Sequence, residues 1–135
     1  MAGYSGKLLF EKLGLKPGHR VFIWNAPDRY HVELERLRDS IKLKSRLKGP
    51  FDFVHFFTMS RNELEQRLPS FKKELDYAGC VWISWPKKSS GVTTDLTENV
   101  IRDTALVLGL VDVKVCAVDE TWSGLKLVYR LKDRR

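Results

Sequence analysis

Apolar residues along the chain follow two rhythms. Three short runs are dense and unbroken: Val21 to Trp24 in "HRVFIWNAP", the heart of "FDFVHFFTM", and "GCVWISW". Runs of this kind are strands buried on both faces, as in a parallel sheet. Three further segments alternate. "IKLKSRL" points Ile41, Leu43 and Leu47 one way, "LVDVKVCAV" points Val111, Val113, Val115 and Ala117 one way, and "LKLVYRL" does so with Leu125, Leu127, Tyr129 and Leu131. Alternation predicts strands with one exposed face. Between them the period lengthens. Leu9 and Leu13, then Tyr30, Leu34 and Leu37, then Leu64, Leu68, Phe71 and Leu75, and finally Leu96, Val100 and Val107 stand at helical spacing.

Punctuation supports these assignments. Gly14 and Gly109 stand where helices end. Ser60 with Glu63, and Asp95 with Glu98, have the spacing of capping boxes. Pro69 interrupts the third helix and predicts a kink or restart. The expected order is helix, strand, helix, strand, strand, helix, strand, helix, strand, strand. Dense strands alternating with amphipathic helices imply a mostly parallel sheet covered on both faces. "TWSG" joins the last two strands too tightly for a parallel crossover, so they form an antiparallel hairpin. No linker or repeat divides residues 1–135, which read as a single domain.

Composition narrows the function classes. The chain has 135 residues, and its net charge of +7 is unevenly spread. Residues 1–50 hold eleven Lys/Arg against five Asp/Glu, residues 51–125 hold eight against eleven, and the last ten hold five against one. A basic field favours anionic partners, nucleic acid among them, although "IKLKSRLK" is also how a solvated strand face looks. No RNA-binding aromatic strand or helix-turn-helix signature accompanies the charge. No apolar run suits a membrane span, and "MAGYSGKLLFEKLG" does not read as a secretory leader. Cys80 and Cys116, each inside an apolar stretch, read as free thiols of a cytoplasmic protein. Neither the cysteines nor His19, His31 and His55 have metal-ligand spacing. His55, within a dense strand, reads as a hydrogen-bonded core residue, or as a base if it reaches the rim. Ser84 lacks the glycines of a nucleophile elbow.

One stretch has the shape of an anion-binding loop. "ISWPKKSSGVTTDLTENV" leads from a strand through Lys87, Lys88, Ser89, Ser90 and Thr94 into a helix start. It is not a phosphate-binding "GxxxxGK[ST]" loop. A solvated loop with two lysines is the plainer reading. Asn25, Asp28, Tyr30 and His31, after the first strand, belong to the same sheet edge and make a candidate polar wall facing Lys87. Their structural alternatives are a strand-end hydrogen bond for Asn25 and a helix cap for Asp28. If the "LVDVKVCAV" strand runs parallel to "GCVWISW", the turn after it lies at that edge too and Trp122 joins it as a lid. Asp119 or Glu120 would then stand within reach of Lys87 or Lys88.

The pieces "LGLKPGHRVFIWNAP", "GPFDFVHFF" and "LDYAGCVWISWP", the last keeping Gly79, resemble strands of the Rossmann-like S-adenosylmethionine-dependent methyltransferases. Most of the chain, through "GYSGK", "NAPD", "GPFD", "ISWPKKSSGVTTDLTENV" and "LVDVKVCAVDETWSGLKLV", resembles a small bacterial family of compact Rossmann-like domains (domain of unknown function 3052). The resemblance implies an α/β, reduced Rossmann-like three-layer sandwich of methyltransferase type, its mostly parallel sheet closed by the antiparallel C-terminal hairpin. It also shows departures. Asn25, Ala26 and Pro27 stand where that fold's glycine-rich turn cradles the cofactor. Basic "SRLK" stands where an acidic residue takes the ribose, and one strand and helix are missing. The expectation is a non-catalytic domain binding a small anionic ligand or a protein partner, with no cofactor specified. An enzyme holding a nucleotide-like cofactor is the alternative, and a nucleic-acid-associated protein is the third reading. "IKLKSRL" at a sheet edge also offers pairing with a second copy as a homodimer.

Overall fold

The computed structural model describes residues 6–134. The first five residues, including the start of "GYSGK" and of the segment read against a secretory leader, lie outside them. Four α-helices and six strands appear in the expected order. They are α1 (Gly6–Leu13), β1 (Arg20–Trp24), α2 (Asp28–Glu35), β2 (Lys42–Lys44), β3 (Phe51–Phe57), α3 (Arg61–Lys73), β4 (Leu75–Pro86), α4 (Glu98–Val107), β5 (Leu110–Ala117) and β6 (Trp122–Tyr129).

The strands form one sheet in the order β2-β1-β3-β4-β6-β5. β2, β1, β3 and β4 are parallel neighbours, and β6 runs antiparallel to both β4 and β5. β5 therefore points the same way as β4. Each face carries its own core. Leu9, Phe10 and Leu13 of α1 and Tyr30 and Leu34 of α2 pack on Val21, Phe53, Phe57 and Trp82. Leu64, Leu68 and Phe71 of α3 and Ile101 and Ala105 of α4 pack on Phe22, Val54, Phe56 and Ile83. This alternate use of neighbouring residues is the strand period of two. It explains why the central strands are apolar without a break.

Three details differ from the sequence expectation. α3 continues through the exposed Pro69, where the missing N–H costs one helical bond and the helix does not restart. α2 is capped by Pro27, and Asp28 lies inside its first turn. The strand expected over "IKLKSRL" is only three residues long. After Lys44 the chain must cross β1 to begin β3, and residues 45–50 do so without a helix. Parallel crossovers usually need a dozen residues or more. This one is short because β2 ends level with Phe22 and β3 begins only a little below it. Leu47 turns inward and packs against the α3-side core. At the opposite, amino edge, Arg20 holds Asp52 with Nε–Oδ2 and Nη2–Oδ1 distances of 2.9 Å each. The guanidinium keeps that carboxyl down at about 2.

Candidate functional site

Because β1, β3, β4 and β5 point one way, the residues that follow them gather at one edge. Ligands of open α/β sheets bind at that carboxyl edge. After β1 the chain turns at Asn25, whose φ of 58° is left-handed. Asparagine tolerates that region better than most residues with a Cβ. No side chain caps α2. Asn25, Asp28 and His31 are exposed at the start of this helix, whereas Tyr30, the fourth residue of the expected wall, is buried and turned to His55.

The lysine loop divides in two. The Lys87 N–H donates to the Thr121 carbonyl at 2.8 Å, which ties the loop to the β5–β6 turn. A single 3-10 turn, Lys88–Ser90, follows. The Ser90 hydroxyl donates to the Lys87 carbonyl at 2.7 Å and accepts from Val92 N–H. The chain then crosses to α3. Thr94 donates its hydroxyl to the Met59 carbonyl at 2.6 Å and accepts from Leu96 N–H, while Asp95 accepts from Arg61 N–H at 2.8 Å. Asp95 thus secures the start of α3, and Thr97 caps α4. The Ser90 and Thr94 hydroxyls are bonded to the main chain of their own surroundings. Lys88 and Ser89 remain exposed at the tip.

Lys87 faces the other way. With Leu9, Lys12, Val118, Asp119 and Glu120 it lines a concavity of about 330 Å³ between α1 and the β5–β6 turn. Asp119 Oδ1 accepts from the N–H groups of Thr121 (2.8 Å) and Trp122 (2.7 Å), so this carboxylate holds the turn. Among the described residues neither Lys12, Lys87 nor Lys88 makes an ion pair. The turn does lie at the carboxyl edge, since β5 follows the direction of β4. Trp122 there is half-buried and packs edge-on against Phe57, with ring centroids 5.2 Å apart.

Beneath Phe57 lies a buried polar chain. The His55 ring stacks on Phe57 at 4.2 Å. Its Nδ1 is 2.8 Å from the Tyr30 hydroxyl and its Nε2 is 2.7 Å from Ser84 Oγ. Burial pushes His55 down to about 3 and the Tyr30 phenol well above its ordinary range. His55 is therefore neutral, with one N–H. One neighbour donates to the ring and the other accepts from it. His55 and Ser84 are wholly buried, so this chain supports the edge from below and does not open onto it. The sequence marked His55 as a core group. Its partners lie 25 and 29 residues away, and only the register of β3 against β4 reveals Ser84.

A bound methyl donor does not fit here in the manner the resemblance implies. Ala26 and Pro27 follow β1 where backbone must approach the ligand, and the basic "SRLK" of residues 45–48 follows β2 in place of an acid. Among the described residues no cluster of His, Cys, Asp or Glu could hold a metal ion, and no helix is long and apolar enough to cross a membrane. Cys80 and Cys116 are free thiols.

No protein-family model matches the chain. No curated protein matches it. Solved structures do. A SAM-dependent methyltransferase from Aquifex aeolicus aligns over 92% of this chain and 89% of its own, with a TM-score of 0.65 at 12% identity. Magnesium protoporphyrin IX methyltransferase from Synechocystis PCC 6803, solved with bound SAH, aligns over 92% and 81%, with a TM-score of 0.64 at 12% identity. A methyltransferase from Pyrococcus furiosus aligns over 90% and 80%, with a TM-score of 0.58 at 15% identity. The chain thus resembles these SAM-dependent methyltransferases in fold, a Rossmann-like sheet closed by an antiparallel hairpin.

Proposed function

We propose that this domain binds a small anionic ligand of nucleotide type at the carboxyl edge of its sheet, without the glycine cradle of its fold relatives. The observation that carries the reading is the concavity beside the β5–β6 turn. Lys12 and Lys87 line it without an ion-pair partner, over the apolar Leu9 and Val118 and beside Glu120 and Asp119, the latter engaged by the turn's own N–H groups. Two free ammonium groups above an apolar floor suit a phosphate or carboxylate attached to a less polar body. Asn25 and Asp28, farther along the edge, offer acceptors to ligand hydroxyls. The fold likeness favours a nucleotide-like body over a protein partner, since one similar structure holds SAH at this type of sheet.

The test is a thermal shift series with adenosine mono- and diphosphate, inorganic phosphate, S-adenosylmethionine and its demethylated product. Nucleotide phosphates are expected to stabilise the protein. Lys87→Ala is expected to weaken them at least about 10-fold, the loss of one charge-assisted bond. Stabilisation by S-adenosylmethionine that survives Lys87→Ala, with none from the nucleotide phosphates, would overturn the reading. So would indifference to every phosphate.

A further inference from the structure

The side of the sheet farthest from this concavity carries a different charge pattern. On β2 only Leu43 faces the α1/α2 core. By strand alternation Lys42 and Lys44, both exposed, point to the α3 side. The bare crossover continues that surface. Leu47 goes inward beside Arg67, Gln66 and Ser70 of α3, and its neighbours Arg46 and Lys48 are exposed. Among the described residues Lys42, Lys44, Arg46 and Lys48 make no ion pair, and Arg67 has one partner, Glu63, at 3.5 Å. Five cations therefore share one surface. The nearby carboxylate of Glu74 is bonded to Gly49 N–H at 2.8 Å.

We infer that this face, built by the edge strand β2 and the helix-free crossover, binds the phosphate backbone of double-helical nucleic acid without reading its sequence. Two features choose this occupant. None of the large exposed apolar residues lies on β2, on the crossover or beside Arg67. A protein interface needs such anchors at its centre, whereas phosphate contacts do not. Among the described residues no ring here is open for stacking unpaired bases either: Phe51 and Phe71 are buried, and Trp24 is covered by the Arg67 guanidinium at 4.2 Å from the ring centre.

The test is fluorescence anisotropy with two DNA duplexes of about 20 base pairs and unrelated sequence, titrated at roughly 50 to 200 mM salt. Both duplexes are expected to bind alike. The logarithm of affinity should fall with the logarithm of salt with a slope of up to about −4.5, about 0.9 for each of five cations. The triple variant Lys44→Ala, Arg46→Ala and Lys48→Ala is expected to reduce the slope by about 2.7. The equally discharged Lys114→Ala, Lys132→Ala and Arg134→Ala variant, on the far edge and C-terminal tail, should keep it. Should the triple variant not fold, Lys44→Ala alone is expected to remove about 0.9. Four results would overturn the inference. These are no binding at low salt, equal losses in the two triple variants, tighter binding of single strands, and better competition by polyglutamate than by duplex. The last would assign the face to an acidic protein.

Discussion

Lowering the pH from 7 to 5 is expected to cost the folded domain about 2 kcal/mol through His55 alone. In the unfolded chain this histidine takes a proton near its ordinary value of 6.5. In the folded protein, burial holds it down at about 3. Between those values the unfolded state binds the extra proton, so stability falls as pH falls, by about 1.4 kcal/mol per pH unit. The stabilising contribution is whole above 6.5 and is lost progressively down to 3. A charged ring would have to donate to both Tyr30 and Ser84 while wholly buried. Asp52 works in the same direction, but in the lower window between 3.8 and about 2. The two are therefore separable. Urea unfolding at pH 7, 6 and 5 measures the slope, and His55→Phe supplies the control. That variant is expected to be weaker at pH 7, because two buried hydroxyls lose a partner, yet much less steep between pH 6 and 5, where His19, also lowered by burial, keeps a slope of its own. An unchanged slope in His55→Phe would move the proton to another group.

Gly49→Ala is expected to lower stability by about 3 kcal/mol or more, a fall in Tm of about 10 °C. A Cβ at this position would stand 2.1 Å from the Glu74 carbonyl oxygen and 2.8 Å from the Phe51 nitrogen. Both are main-chain atoms and cannot rotate aside. They are also bonded to one another, Phe51 N–H donating to Glu74 O at 2.9 Å. The methyl group must therefore push apart the start of β3 and the junction of α3 with β4. It would also disturb the crossover that presents Arg46 and Lys48. Ser45→Ala, exposed on the same loop, is expected to change stability by less than about 0.5 kcal/mol. Thermal melting distinguishes the cases. A drop of under about 2 °C for Gly49→Ala would mean that the crossover does not lie against Glu74.

The fold was legible in the sequence because burial on both faces leaves an unbroken apolar signature. "VFIW", "FVHFF" and "CVWISW" could be little else, and the amphipathic segments between them supplied the helices. What escaped was contact between distant segments. Asp95 and Glu98 have capping-box spacing, but Asp95 serves α3 and Thr97 caps α4. Nothing local distinguishes an aspartate that caps its own helix from one that reaches a neighbour's. The short β2 escaped for a related reason. "IKLKSRL" alternates well enough for seven residues, yet the need to cross β1 stops the strand at Lys44. At the carboxyl edge the sequence offered nine residues as one candidate ligand site: a polar wall, a lysine loop and a tryptophan lid. The structure keeps Asn25, Asp28 and His31 around α2 and turns Lys87 toward α1. It bonds Ser90 to its own loop and Thr94 to Met59, and leaves Lys88 and Ser89 at the loop tip. Trp122 sits against Phe57. Side-chain direction in an irregular loop depends on where its backbone is pinned, here at Thr121 and Arg61.

The position of β6 has a consequence for how the chain is made. It is the last strand, yet it lies inside the sheet, between β4 and β5. While a ribosome is still producing the segment before Trp122, β4 presents an open edge and β5 has no neighbour. The buried Leu125 and Leu127 have not yet arrived to close the α3/α4-side core. The nascent chain therefore carries an unpaired apolar edge until nearly all of the domain has left the exit tunnel, and needs shielding from its neighbours for that interval.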